Sequence, residues 1–145
     1  MRLTTYTDYT LRVLMYLALE PGRLATIPEI AAAYGISENH LMKVVHQLGR
    51  SGVVEPIRGK GGGVRLAFDP QDIRLGQIVR ASEGSAPIVE CLAPADSNCR
   101  IAPSCRLAGI LVEAFDALYE TLDAYTLADL VTNRKVLSRV LSIHP

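Results

Sequence analysis

Three cysteines, the only ones in this 145-residue chain, lie close together at Cys91, Cys99 and Cys105. Their spacing is C-x7-C-x5-C, in a segment that also contains Pro94 and Pro103. Thiolates on one bendable segment can face a common centre, which suits a soft metal ion or an iron–sulfur cluster. Three thiolates are one fewer than such centres usually take, so a fourth ligand of another kind is expected.

Two other interpretations of the cysteines are weaker. Structural zinc sites favour cysteine pairs spaced C-x2–4-C, and this segment has no such pair. Cysteines can also be small buried apolar residues, but three so close among prolines and polar residues are unusual in a core. The odd number argues against a secreted disulfide scaffold. An iron–sulfur cluster is therefore favoured over zinc and over a purely structural role.

The segments before the cysteines predict a helix-turn-helix. Helical spacing of apolar residues predicts a first helix over 5–19. The capping box Thr26-Ile27-Pro28-Glu29 opens a second helix, which Gly35 ends. Ser37 caps a third helix that ends near Gly52. Two short helices joined by a tight turn form a helix-turn-helix, placed at about 26–51.

A β-hairpin and further helices follow. β-forming residues on both sides of a glycine-rich turn at 58–63 predict a hairpin, or wing, at about 53–68. A fourth helix ends at Gly84, which completes a winged helix-turn-helix domain over 1–84. The remaining segments are a cluster-binding loop (85–103), predicted dimerisation helices (104–133) and a tail without a clear pattern (134–145).

The third helix has one apolar and one polar side when it is placed on a helical wheel at about 100° per residue. The polar side lacks carboxylates and suits the electronegative major groove, whereas a plain solvated face is the alternative. The capped helix before it and the basic wing after it favour DNA. The predicted DNA contacts are Ser37, Asn39, His40, Lys43, His46, Arg50, Arg58, Lys60 and Arg65.

The last helices predict a homodimer. A long helix beginning at Ser104 carries an apolar stripe from Leu107 to Leu122, longer than the core of a small domain can cover. Thr126 and Asp129 have the spacing of a capping box for one more short helix. The predicted fold class is therefore mainly α: a winged helix-turn-helix with a small hairpin and a long C-terminal dimerisation helix.

Composition excludes several classes of protein. Net charge is zero, but residues 1–80 hold ten Lys/Arg against seven Asp/Glu, and residues 81–145 hold five against eight. The chain has no signal-peptide pattern and no apolar run of membrane-spanning length, so a cytoplasmic protein is expected. No nucleophile–base set, carboxylate pair or cofactor loop predicts an enzyme. An electron-transfer protein remains an alternative, which the winged helix disfavours.

The order of winged helix, three-cysteine segment and long helix resembles the NsrR/IscR family of bacterial iron–sulfur transcription regulators. The resemblance covers residues 1–133 and rests on Leu3–Tyr9, Ser37–Val45, Gly59–Gly63 and the cysteines. It is strongest for the NsrR branch. It implies a homodimer that binds a palindromic DNA operator and holds one cluster per subunit near the dimer interface.

The resemblance also bears on the fourth ligand. The IscR branch has a histidine three residues after the last cysteine, where this chain has Ala108; the only later histidine is His144. The NsrR branch can use an aspartate near the start of the first helix, supplied by the other subunit, and Asp8 stands at that position. Arg12 lies one helical turn on, where it can pair with Asp8 and orient it. From the residues alone, Thr5-x-x-Asp8 is equally a helix cap, and Asp8–Arg12 a plain i, i+4 pair.

The function that the resemblance implies is regulation of transcription, as a repressor, in response to nitric oxide. The cofactor would be a [4Fe-4S] cluster, with [2Fe-2S] as the alternative nuclearity. The alternative within the same fold is a sensor of redox or iron–sulfur status.

Overall fold

The computed structural model describes residues 1–93 and 97–143. Within them, helices surround one small antiparallel hairpin, so the predicted mainly α fold class is confirmed. Short 3₁₀ turns connect some of these elements. In chain order the elements are α1 (Thr5–Leu19), α2 (Ile27–Tyr34), α3 (Glu38–Arg50), β1 (Val54–Ile57), β2 (Gly63–Leu66), α4 (Leu75–Glu83), α5 (Arg106–Asp123), α6 (Leu127–Leu130) and α7 (Arg134–Val140).

The helix-turn-helix forms where its local signals predict it. Thr26 and Glu29 exchange the two hydrogen bonds of a capping box at the start of α2. Gly35 takes a left-handed conformation, φ 65°, and ends α2. Ser37 Oγ accepts a hydrogen bond from the His40 N–H at 3.2 Å and caps α3. The buried side of α3 packs into the core beside α1 through Leu41, Val44, Val45 and Leu48.

The hairpin is shorter than the sequence predicts. β2 ends at Leu66, whereas alternation extends to Phe68; the Ala67 N–H still bonds to Val53, but Pro70 then starts a 3₁₀ turn. Gly59 and Gly61 have φ of 97° and 77° and make the turn between the strands. A Cβ at Gly63 would lie 2.6 Å from the Ala25 carbonyl oxygen. The geometry of the turn and the close approach of Ala25 therefore account for these glycines.

The C-terminal helices differ from the prediction at two points. α5 begins at Arg106 rather than Ser104, because Ala102–Ser104 forms a 3₁₀ turn and Cys105 is extended. The tail is not patternless: α7 forms, and Leu137 and Leu141 pack against the core. His144 and Pro145 lie outside the described residues. The predicted capping box at Thr126 and Asp129 does form at the start of α6.

α5 is long and poorly covered. It has 18 residues, none of them buried, although apolar residues recur along it. Neither α5 nor any other helix in the described ranges combines the length and apolarity that crossing a bilayer requires. Its C-terminal half docks on α4, where Arg80 pairs with Asp123 at 3.0 Å and lies 4.5 Å from the Tyr119 ring centroid.

Gly76 permits this docking of α4 on α5. A Cβ at Gly76 would lie 2.1 Å from Asp123 Oδ1 and 2.9 Å from the Tyr119 carbonyl oxygen. We expect Gly76→Ala to lower the free energy of unfolding by about 1–3 kcal/mol, because the helices must separate or the Arg80–Asp123 pair must break. Thermal or urea unfolding at fixed protein concentration measures this change.

Gly49→Ala is the matched control for that substitution. Gly49 also lies inside a helix, but its added Cβ would only touch Pro56 at 3.6 Å. The control should therefore be neutral or stabilising by up to about 1 kcal/mol, through helix propensity alone. Equal destabilisation by both substitutions would contradict the role assigned to Gly76.

Candidate metal centre and nucleic-acid interface

The three cysteines line one cavity of about 190 Å³. Cys91 lies in the 3₁₀ turn Glu90–Leu92, Cys99 precedes the turn Ala102–Ser104, and Cys105 is the residue at which α5 begins. All three are free thiols and half-buried. The fold therefore brings the three predicted sulfur ligands to a common space from three separate local structures.

The cavity is lined by three thiols, the donors that an iron–sulfur cluster takes. It is smaller than the ~300–1,000 Å³ typical of pockets for organic ligands. In the described ranges, no three His, Cys, Asp or Glu side chains converge to hold a single metal ion. In a multi-iron cluster each thiolate binds a separate iron, so the ligands need not converge on one atom. The start of α5 at Cys105 adds a helix dipole that favours the negative charge of thiolates. The residues present thus fit an iron–sulfur group.

Position 108 faces the same space but offers no ligand. Ala108 lines the cavity beside Leu107. A histidine at 108 would therefore have been placed to reach the thiols, whereas the methyl group of alanine cannot bind iron. The cavity lining includes the carboxylate residue Glu90 but not Asp8. Within one subunit, therefore, Asp8 is not placed to act as the predicted fourth ligand.

Asp8 lies in the first turn of α1 without capping it. The N-cap is Thr4, whose hydroxyl accepts a hydrogen bond from the Thr7 N–H at 3.2 Å, so the capping interpretation of Thr5 and Asp8 is wrong. Both carboxylate oxygens of Asp8 instead face Arg12, at 3.1 Å to Nε and 2.8 Å to the terminal nitrogen. The predicted Asp8–Arg12 pair is formed, and Asp8 remains half-exposed.

Glu83 connects this first turn to the end of α4. It is the last residue of α4, and its carboxylate accepts hydrogen bonds from the Thr4 N–H at 2.8 Å and from the Thr7 hydroxyl. Burial raises the pKa of Glu83, but the bonds from Thr7 and Thr4 outweigh burial and hold that pKa below its ordinary value. The carboxylate thus stabilises the fold at neutral pH, and the contact weakens only as acid protonates it.

The outer side of α3 is open to solvent. The predicted DNA contacts on it, Asn39, His40, Lys43, His46 and Arg50, are all exposed, and none carries negative charge. The His40 ring lies 6.0 Å from that of Tyr9 on α1. One stripe of this surface therefore presents amide, imidazole and cationic groups from Asn39, Lys43, His46 and Arg50, as contacts to base edges and phosphates require, and His40 lies to one side of it.

Sequence reasoning overlooked two residues that flank this stripe. Met42 is 54% exposed although it is apolar, and Gln47 is exposed beside it on the other edge. A thioether can contact a thymine methyl, and a glutamine amide can bond adenine in the major groove. Their positions, 60–80° from the stripe at about 100° per residue, were readable from the helical wheel.

The wing carries three cations, of which Arg65 alone forms an ion pair among residues 1–93 and 97–143. Arg58 and Lys60 are exposed in the turn between β1 and β2. Arg65 lies opposite Glu55 in the strand register, and its Nε bonds that carboxylate at 2.9 Å. A phosphate would have to compete with Glu55 for Arg65, so Arg58 and Lys60 are the better placed of the three.

The profile of the Rrf2 family, described as an iron-dependent transcriptional regulator, matches residues 3–133. The chain belongs to the Rrf2 family. Within it, the chain is 51% identical to the HTH-type transcriptional regulator NsrR of Bacillus subtilis over 144 residues, 99% of each protein. It is 44% identical to NsrR of Halalkalibacterium halodurans over 146 residues, all of each protein.

Solved structures agree with this Rrf2 membership. CymR, described as the global cysteine regulator of B. subtilis, superposes with a TM-score of 0.72 at 30% identity, covering 92% of this chain and 98% of that one. IscR of T. potens gives 0.73 at 28% identity over 92% and 88%. The predicted resemblance is thereby confirmed, and this Rrf2 chain is an NsrR-type transcriptional regulator rather than an enzyme.

Proposed function

We propose that this Rrf2 regulator is a homodimeric repressor that senses nitric oxide through a [4Fe-4S] cluster and leaves its operator when the cluster is lost. The observation that carries the proposal is the single cavity lined by Cys91, Cys99 and Cys105. A [2Fe-2S] cluster is the alternative nuclearity. The site of action is the cytoplasm, where thiols stay reduced.

The fourth ligand in this proposal is Asp8 of the partner subunit. Two observations support it: Asp8 does not cap α1, and its side chain is half-exposed. Arg12 would hold the carboxylate in one orientation through its two contacts. A carboxylate is a harder donor than the three sulfurs, so an iron held by Asp8 would exchange its ligand more readily than one held by a thiolate.

A cluster held by these residues would supply iron that can react with nitric oxide. The change in DNA binding would come from the protein chain, because two of the proposed ligands lie at helices that also pack against other parts of the structure. Cys105 is at the beginning of α5, and Asp8 is on α1, which packs against α3. Release of these side chains would free the cysteine segment and loosen the interface that sets the spacing of the two α3 helices.

α5 is the proposed dimer interface. Leu107 and Ile110 are 58% and 54% exposed, and the stripe continues through half-buried Leu111, Phe115 and Leu118. A second copy of the same helix would cover this stripe, since two apolar stripes of equal length are mutually complementary. Two copies of α3 would then face a palindromic duplex.

DNA recognition in the proposal divides between α3 and the wing. Asn39 and its neighbours on α3 read base edges, while Arg58 and Lys60 contact phosphate or the minor groove. Lys60→Ala should weaken binding to every duplex alike and flatten the salt dependence by about one phosphate contact. Asn39→Ala should instead change sequence preference at one position, by about 1–3 kcal/mol.

Glu55→Gln is a control for these DNA-binding variants. It removes the carboxylate that competes with DNA for the predicted contact Arg65 and leaves every predicted contact residue in place, so operator binding should hold or improve. Titrations of the cluster-loaded dimer with an operator selected from random duplexes, at several salt concentrations, measure all three variants. Parental binding by both Lys60→Ala and Asn39→Ala would contradict the assigned surface.

One experiment tests the function as a whole. The protein is purified without oxygen, its iron and sulfide are measured, and operator binding is followed while nitric oxide bleaches the visible absorbance. Binding should fall in step with absorbance. Zinc without sulfide would overturn the cluster, and unchanged binding after bleaching would overturn the sensor. Loss of binding with oxidants but not with nitric oxide would favour the alternative, a redox or iron–sulfur-status sensor.

A further inference from the structure

Glu90 is an acidic residue at the cysteine cavity that the proposed ligand set does not use. It lines the cavity, and its Oε1 accepts a hydrogen bond from the Asn98 backbone N–H at 3.0 Å. Glu90 directly precedes Cys91, and Asn98 directly precedes Cys99. This one contact therefore joins the chain segments that carry two of the three thiols.

The Glu90–Asn98 bond matters because Cys91 and Cys99 are far apart in the sequence. Seven residues separate Cys91 from Cys99, and an unrestrained loop of that length has many conformations in which the sulfurs lie apart. A contact that closes the loop before any metal binds reduces the entropy lost on binding. A preorganised metal site requires ligand side chains that surrounding contacts already hold in position.

We propose that Glu90 is a positioning residue that clamps the Cys91 segment to the Cys99 segment and so preorganises the thiolates. The inference rests on the proposed cluster-binding function and deepens it. Two neighbouring bonds support the clamp: the Ala93 N–H donates to the Glu90 carbonyl at 3.0 Å, and the Cys99 N–H donates to Ser97 Oγ at 3.2 Å. The first bond forms a turn in the Cys91 segment, and the second fixes the backbone of the Cys99 segment.

A clamp is chemically different from a ligand at this position. The clamp needs only an oxygen that accepts a hydrogen bond, which the amide of glutamine also provides. An iron ligand needs the carboxylate itself. The negative charge of Glu90 also repels nearby thiolates, so a clamp without the charge should hold an anionic site at least as well. The two roles therefore predict opposite outcomes for Glu90→Gln.

The first measurement uses no metal. In the full-length Cys105→Ala protein, only Cys91 and Cys99 can pair. Oxidised glutathione forms a mixed disulfide with one thiol and releases reduced glutathione; the second thiol then displaces another reduced glutathione and closes the disulfide. The equilibrium gives the effective concentration of the two thiols. Glu90→Ala should lower it by about three- to tenfold, as loss of one hydrogen bond predicts. Glu90→Gln should preserve it.

The second measurement uses the cluster-loaded protein with all three cysteines. Loss of visible absorbance in a chelator should be about 10–100-fold faster for Glu90→Ala, the usual effect of removing a group that orients metal ligands. Glu90→Gln should be no faster than the parent. Asn98→Ala is the matched control: it retains the backbone N–H, so it should behave like the parent in both measurements.

The two measurements distinguish Glu90 as a clamp from Glu90 as an iron ligand. An unchanged effective concentration in Glu90→Ala would overturn the clamp, and rapid cluster loss in both Glu90 variants would make Glu90 a ligand instead. Because Glu90 is exposed, the apoprotein variants should melt like the parent, which separates positioning from folding. If the parent binds no sulfide but Glu90→Ala still lowers the effective concentration, the cluster proposal fails and the clamp stands.

Discussion

Replacing any one of Cys91, Cys99 or Cys105 with alanine should abolish stable cluster binding and, with it, tight binding to the operator. The three thiols share one cavity of about 190 Å³, and the chain has no other cysteine to replace a missing one. A lost thiolate leaves iron with an open coordination position in a partly solvated site. Iron and sulfide content after anaerobic reconstitution should fall to near zero, and operator affinity to that of the apoprotein.

Asp8→Ala is the informative comparison for the cysteine variants. The cluster should still assemble, because water or a small thiol can take one position, but its reaction with nitric oxide should change in rate. The apoproteins of all four variants should unfold like the parental apoprotein, since none of these side chains is buried in the core. A cysteine variant that retained parental iron, sulfide and operator binding would contradict the ligand assignment.

The elements of the fold were predictable where their signals are local. The capping boxes at Thr26 and Thr126, the cap at Ser37 and the left-handed Gly35 all form where the sequence places them. Errors arose where tertiary context decides. α7 is a short helix without a side-chain cap, and it is held by core contacts of Leu137 and Leu141 that no local pattern reveals.

In the candidate site, too, features with local sequence signals were predictable and features set by tertiary contacts were not. Residue spacing was enough to predict the three cysteines as one group and the stripe on α3 as one face. It could not show that Thr4, not Thr5, caps α1, because either hydroxyl has suitable spacing and only the Thr7 contact decides. Nor could it show the bond from Asn98 to Glu90, which joins two residues eight positions apart, a spacing that no helix or strand pattern predicts.

Ile110→Asp should convert the proposed dimer into monomers. Ile110 is 54% exposed in the subunit and lies on the apolar stripe of α5. Burying an isoleucine contributes about 1.5–3 kcal/mol, and the substitution occurs twice in a dimer. The dissociation constant should therefore rise by roughly 10²–10⁴-fold, before the cost of burying a carboxylate is added. Sedimentation over a range of concentrations measures the change.

Val136→Asp is the matched control for Ile110→Asp. Val136 is 57% exposed on α7, so it has nearly the same accessibility in the subunit but lies off the proposed interface. It should leave the dimer intact. Dimers of Ile110→Asp at micromolar concentration, or dissociation by both variants, would contradict the α5 interface.

The same variant also tests the origin of the fourth ligand. If Asp8 acts on the cluster of the partner subunit, a monomer keeps three thiolates but loses the carboxylate. Monomeric Ile110→Asp should then resemble Asp8→Ala in its reaction with nitric oxide, and the double variant should show no further change. It should also lose most specific affinity for a palindromic operator, because one α3 reads only one half-site. A monomer whose cluster reacted like the parental one would place the fourth ligand within the same subunit and exclude Asp8 of the partner.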